Sequence, residues 1–242
     1  MCYHFHGIFL KWTANTIMAK YYYELHAHTS ESSGCAGISA ADTYRLYKAA
    51  GANGMVVTDH FMFWPKDEVL DAEHWMGKVH HLLKGYNALK EAAADDPDFT
   101  VLCGFEYRNF DTPNDILFFG VTPEFLYANE WFGVRERAEI RRLADENGIL
   151  LIQAHPFRGS CEREPLDFIH GVEVYNEVPR HDSHNELSLA FAQEHGLIMT
   201  AGSDYHWEED VARGGILTDA PITSEAELVA LLKSGNYTLR HS

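Results

Sequence analysis

A chain of 242 residues with 46% hydrophobic and 23% charged residues has a globular balance, and its length suits one large domain or at most two small ones. Its 36 acids against 19 bases leave a net charge of −17, a field that opposes nucleic acid and anionic membranes, so a phosphate-handling site here needs cations of its own, such as metal ions. Four cysteines, Cys2, Cys35, Cys103 and Cys161, form no CxxC pair and read as reduced thiols of a cytoplasmic protein, and no apolar run reaches membrane-span length.

In chain order, residues 1–17 read as an extension outside the fold. They lack a secretory pattern, and their HFH repeat at His4 and His6 falls where termini fray. Met18 opens the single domain expected over 18–242. Strand patterns follow at 21–28, 54–58, 99–105, 115–121, 149–154, 171–175 and 197–201. Between them lie helical patterns. The first opens at Ser39, with Asp42 in the capping-box place, and stops at Gly51; the second covers 71–94, whole or broken near Gly77 or Gly85. Two more cover 135–147 and 183–195, ending at Gly148 and Gly196, and a last one opens at Ser224 with Glu227 three residues on. This alternation predicts an α/β architecture with a largely parallel sheet, closed or nearly closed into a barrel. The short link between the third and fourth strands leaves one step without a proper helix.

The strand ends carry the chemistry. His26 and His28 stand two apart on the first strand and so share a face. The second strand runs into Asp59 and His60, the third ends at Glu106, the fifth at His155, and the seventh leads into Asp204 and His206. In an α/β barrel these ends gather on one rim. Imidazoles with carboxylates that bridge suit several divalent ions, and no thiolate pair indicates a closed structural zinc site.

At "ELHAHT", "GMVVTDHF", the isolated Glu106, "AHPFR", "GVEVYN" and "AGSDYH", the chain resembles the PHP (polymerase and histidinol phosphatase) family over roughly residues 20–240. The resemblance implies a distorted seven-stranded (β/α)7 barrel with a metal site at the carboxyl ends of its strands. It also implies a two- or three-metal centre of zinc, manganese or iron. His26, His28, Glu106 and Asp204 resemble ligands of a first ion, Glu106 and His155 of a second, and His60 and His206 of a third. Two positions depart from the pattern. Behind the HxH pair stands "SESSGC", where Glu31 or Cys35 substitutes for the family's Asp or His, with Glu31 preferred because carboxylate oxygen matches the other ligands. At the fourth strand the family's histidine is replaced by Asp115, or by its neighbour Asn114.

Several residues keep two readings. Asp59 is either a ligand or a partner orienting an imidazole. Arg158 either clamps a phosphate or pairs with Glu162 or Glu164. Asn176 and His184 lie near the substrate side, His80 and His81 read as non-ligands, and Arg135, Arg137, Arg141 and Arg142 form a paired, solvated helix face with Glu136 and Glu139. The expected activity is hydrolysis of a phosphate ester by a metal-activated water, with Glu106, His206 and Arg158 in catalytic roles and a small phosphomonoester as substrate. The alternatives are a nuclease or phosphodiesterase, a non-catalytic metal-binding module, and metal-assisted hydrolysis of a C–N or C–O bond.

Overall fold

The computed structural model describes residues 21–63, 72–109, 112–129 and 136–242. The expected extension over 1–17 and Arg135 lie outside the described residues. Among the described residues ten strands form the sheet: β1 (Tyr21–Ala27), β2 (Gly54–Val57), β3 (His60–Phe63), β4 (Thr100–Asn109), β5 (Asp115–Phe119), β6 (Leu150–Gln153), β7 (Gly171–Asn176), β8 (Ile198–Gly202), β9 (Gly215–Thr218) and β10 (Thr238–Arg240). Their order is β10-β9-β1-β2-β4-β5-β6-β7-β8, with β3 added beside β4. The two ends of the β1-to-β8 arc meet just past β8. There Tyr205 bridges Ala27, its N–H donates to His26 O at 3.1 Å, and its carbonyl accepts from His28 N–H at 2.9 Å. The result is a mixed α/β fold with a nearly closed, barrel-like sheet.

The expectation of a distorted seven-stranded (β/α)7 barrel holds in its mixed α/β, barrel-like form but not in its strand count. All seven expected strands are present, but β3, β9 and β10 join them, and β5 runs antiparallel to both β4 and β6. The short link between β4 and β5 allows nothing else, because a parallel return needs a crossover of a dozen or more residues.

Alternate strand residues supply two cores. Met55, Val57, Cys103, Phe105, Phe118, Leu151, Val172 and Val174 pack with residues of α1 (Ala40–Ala49), α2 (Ala72–Ala92), α4 (Arg137–Asn147) and α5 (Asn185–His195). Val56, Leu102, Leu117, Phe119, Leu150 and Ile152 pack with Leu228, Val229 and Leu232 of α6 (Glu225–Ser234). The short helix α3 (Pro123–Ala128), unexpected from the sequence, starts with Pro123 behind the Thr122 cap.

The expected caps form where the side chains allow it: Ser39 accepts from Asp42 N–H, and Ser224 accepts from Glu227 N–H. The second helix is unbroken, and Gly85 within it serves a close approach rather than a break. A Cβ there would lie 2.0 Å from Thr29 Oγ1 and 2.2 Å from Asp59 Oδ2, so only glycine lets α2 press against the loop that follows β1.

Candidate metal centre

Glu106 sits inside β4, three residues before its end, where the strand pairs with β5 and places Glu106 opposite His60 of β3. The carboxylate is buried and faces four imidazoles. Its Oε1 lies 3.3 Å from His26 Nε2 and 3.5 Å from His155 Nε2, while Oε2 lies 2.8 Å from His60 Nδ1 and 3.6 Å from His28 Nε2. Asp204 closes the group from after β8, with Oδ1 3.4 Å from His26 Nε2 and 3.5 Å from His28 Nε2. Ligand-capable atoms fall within 4.8 Å of one another in three sets: His26, His28 and Asp204; Glu106, Asp115 and His155; His28, His60 and His206.

Close as these atoms are, several are not hydrogen-bonded. His26 Nε2, His28 Nε2, His60 Nδ1 and Glu106 Oε1 are buried without a hydrogen-bond partner, although native interiors leave few such groups unpaired. The opposite nitrogens of two of these rings are engaged: His26 Nδ1 meets Glu173 Oε1 at 2.9 Å and His28 Nδ1 lies 3.4 Å from Ser33 Oγ. The neighbouring rings are held as well, His206 Nδ1 by the carbonyl Asp204 O at 2.8 Å and His155 Nδ1 by Cys161 Sγ at 3.8 Å. Rings held from behind with bare nitrogens pointing inward are the arrangement that metal-binding histidines adopt. The donor set therefore fits divalent ions.

Electrostatics point the same way. Burial alone would lower His26 and His60, but the charges of Glu173, Asp204 and Glu106 raise His26 well above its ordinary value, and Glu106 does the same for His60. Burial would raise Glu106 and Asp204, yet the nearby imidazoles hold both carboxyls well below the usual range. His28, lowered by burial and by His60 and His206, stays neutral. The cluster is an anionic hole that attracts positive charge, whether protons or metal ions. Strain collects here too: His155 and Asp204 have φ of 31° and 50°, a left-handed backbone uncommon outside glycine.

The structure thus brings together His26, His28, His60, Glu106, Asp115, His155, Asp204 and His206. Asp115 arrives with its charge shared, since Arg108 donates from Nε and Nη2 to its two oxygens. Burial and the charge of Glu106 push the Asp115 carboxyl up to about 6.

Two expected ligands are elsewhere. Glu31 accepts from Ala40 N–H at 2.9 and 3.0 Å, capping α1, where a helix N-terminus favours negative charge. Asp59 is spent on the loop after β1: Oδ1 accepts from Thr29 N–H at 2.7 Å and Ser33 Oγ at 2.6 Å, and Oδ2 accepts from Thr29 Oγ1 at 2.7 Å. It reaches an imidazole only through Ser33, whose Oγ lies 3.4 Å from His28 Nδ1.

Arg158 lines the cleft, but its guanidinium serves the protein, donating to Asp204 Oδ2 at 2.9 Å, to Asn176 Oδ1 and to Ser183 Oγ. It aims Asp204, as does Asn176, whose Nδ2 donates to Asp204 Oδ2 at 3.2 Å. His184 stands outside the cluster beside Asp182, and His81 contacts Ser32 O. Sequence reasoning passed over Glu24 and Glu173, acids buried within strands; an acid in an apolar strand was the available signal. It also passed over Arg108 and Arg180, which line the cleft of about 520 Å³ together with Glu106, His155, Arg158 and His206. Arg180 is fixed by Asp210 through both Nη atoms.

The strand order, the near-closure and the buried imidazole–carboxylate cluster define an α/β barrel-like protein with a candidate multinuclear metal centre. The resemblance to the PHP family that the motifs carry holds in comparison with known proteins, where a family model described as PHP-associated matches residues 182–237. Solved structures share the fold. A protein of Bifidobacterium adolescentis assigned as a metal-dependent phosphoesterase is 15% identical, with TM-score 0.51, over 87% of this chain and 95% of its own. A two-domain protein of Bacteroides vulgatus, containing a region assigned as a PHP-like metal-dependent phosphoesterase, is 16% identical, with TM-score 0.61, over 91% of this chain and 64% of its own. An amidohydrolase of Chromobacterium violaceum with bound sulfate is 15% identical, with TM-score 0.53, over 87% and 96%. No curated protein matches the sequence. Among the described residues no helix is long and apolar enough to cross a membrane.

Proposed function

We propose that the chain is a metal-dependent hydrolase of phosphate esters that acts on a small phosphomonoester. Two or three divalent ions, zinc, manganese or iron, are held by His26, His28, Glu106, His155 and Asp204, and by His60 and His206. The observation that carries this reading is the set of buried, partnerless atoms turned toward one another, His26 Nε2, His28 Nε2, His60 Nδ1 and Glu106 Oε1. Each such atom left unpaired costs about 1–3 kcal/mol, which a bound cation removes.

Bound ions supply water activation near neutral pH and neutralise phosphoryl charge. The chain's own residues position the reaction. Glu106 reaches both halves of the cluster, and Arg158 and Asn176 aim Asp204. Arg108 and Arg180, each oriented by an acid, add positive charge to the cleft where phosphoryl oxygens enter. His206 has one nitrogen on the Asp204 carbonyl and therefore one left, which we assign to holding an ion. The leaving oxygen then takes its proton from solvent.

A cleft of about 520 Å³ suits a small molecule, and a net charge of −17 opposes a long polyanion, which favours the monoester over a nucleic-acid strand. The test is elemental analysis of the purified protein with a screen of phosphomonoesters, diesters and amides, with and without chelator. Chelator-sensitive release of phosphate from monoesters is expected, and Glu106→Ala should stay folded while losing metal and turnover. Preference for diesters or amides refutes the substrate class. Tight metal without turnover marks a binding module, and full turnover by Glu106→Ala refutes the scheme.

A further inference from the structure

One corner of the cluster lacks a negative ligand of its own. His28, His60 and His206 gather there, with ring centroids 4.4 Å apart for His28 and His60 and 4.3 Å for His28 and His206. The two carboxylates that reach this corner are shared: Glu106 with His26 and His155, and Asp204, 3.5 Å from both His28 Nε2 and His206 Nδ1, with His26. His28 is fully buried and its Nε2 has no partner. Three neutral imidazoles bring no charge of their own to a divalent ion, which there depends on carboxylates shared with the rest of the cluster.

The loop after β1 supplies what is missing. Glu31 has turned away to α1, and Ser33 Oγ is taken by Asp59 and by His60 N–H at 3.0 Å. The loop's remaining ligand-capable side chain at this corner is Cys35, an exposed thiol that lines the same cleft as His60 and His206. Its placement is built into the backbone: Ala36 N–H donates to Ser33 O at 2.9 Å, and Gly37 N–H donates to His206 O at 3.0 Å, tying the cysteine turn to the His206 segment.

We infer that Cys35 is a metal ligand, binding through its sulfur an ion that His60 and His206 also hold, with His28 facing it. The inference rests on the metal-centre reading above and adds a thiolate to it. The thiol releases its proton to solvent as sulfur binds, so the corner gains an anionic donor of its own. A mixed sulfur and imidazole set favours zinc over manganese or magnesium, which prefer oxygen.

The experiment strips the full chain of metal and reloads it with cobalt(II), following cobalt content and the near-ultraviolet thiolate-to-cobalt charge-transfer absorption. Wild type should show that band. Cys35→Ser should lose it and hold its last cobalt at least about tenfold more weakly, no less than the loss of an outer partner brings. Cys161→Ser, which alters the other cleft thiol, should keep the band. Full cobalt uptake with no band, or a band that survives Cys35→Ser and vanishes in Cys161→Ser, overturns the assignment while leaving the metal centre intact. Absence of any cobalt uptake overturns the metal-centre reading itself, and this inference with it.

Discussion

Glu173→Gln tests how the tautomer of a metal-facing imidazole is set. Glu173 stands among three donors: Oε1 receives His26 Nδ1 at 2.9 Å, and Oε2 receives His155 N–H at 3.2 Å and Asn176 Nδ2 at 2.8 Å. A carboxylate satisfies all three because it only accepts. Glutamine offers one oxygen and one NH₂ group. Turning the oxygen toward His155 and Asn176 keeps two bonds and presents NH₂ to His26 Nδ1. His26 then has to accept at Nδ1 and carry its proton on Nε2, the nitrogen that faces Glu106 and Asp204. The opposite orientation sets NH₂ against two buried donors, at about 1–3 kcal/mol for each one left unpaired, so the first prevails. The expected result is metal affinity reduced about 10–100-fold, or about 1.4–2.7 kcal/mol of binding free energy, together with a lower melting temperature for the metal-free protein, in which the Glu173 charge helps to hold His26 protonated. A competition titration with a chromophoric chelator measures the affinity, and thermal unfolding of the metal-free protein measures the stability. Unchanged metal affinity would refute the argument that Glu173 sets the His26 tautomer.

Asp59→Asn should lower metal-free stability by about 1–3 kcal/mol, because the amide replaces an acceptor-only group in the loop network; metal content by elemental analysis should stay whole, and a lost ion at unchanged stability would restore Asp59 as a ligand. Gly202→Ala should cost about 1–3 kcal/mol by overpacking, since its Cβ would lie 2.4 Å from His26 Cβ and 2.7 Å from Glu173 Oε1; unaltered melting and metal content would contradict that crowding. Adding metal to the stripped protein at a hundredfold its Kd should stabilise it by about 2.7 kcal/mol per ion, raising Tm by roughly 5–10 °C for a chain of this size; calorimetry with and without chelator reads the shift.

Much of the framework is legible because it obeys periodicity. The seven strand segments alternate between two cores, and Ser39, Ser224, Gly148 and Gly196 mark helix ends through local chemistry. The extra strands are not, being three or four residues long and stabilised by partners far away in sequence: β9 pairs with β1, and β10 with β9. The site divides in the same way. Histidines at strand ends announce themselves, whereas the fate of an acid depends on which donors reach it first. Glu31 meets a helix N-terminus, and Asp59 meets a loop amide and two hydroxyls. Neither encounter is encoded near the residue concerned.

The opening histidine pair shows how far simple alternation goes. Strict period two would put His26 and His28 on the side of Tyr22 and Glu24, the side that meets Tyr47 of α1. They face Glu106 instead, because β1 shifts register between Glu24 and Ala27. Glu24 holds that bulge. Its Oε1 accepts from Leu25 N–H and His26 N–H at 3.0 Å each and from Ser203 N–H at 2.9 Å, while Oε2 accepts from Tyr47 OH at 2.9 Å and from Ser203 Oγ. One buried carboxylate thus ties the strand that carries the histidines to the residue before Asp204, fixing two walls of the cluster together. A second shift, in β7 between Glu173 and Tyr175, lies beside the acid that holds His26 from behind. Bulges re-aim side chains that a regular ladder would send elsewhere. Here two of them flank buried acids, so the departures from the pattern that reveals the fold are what turn its histidines into a single site.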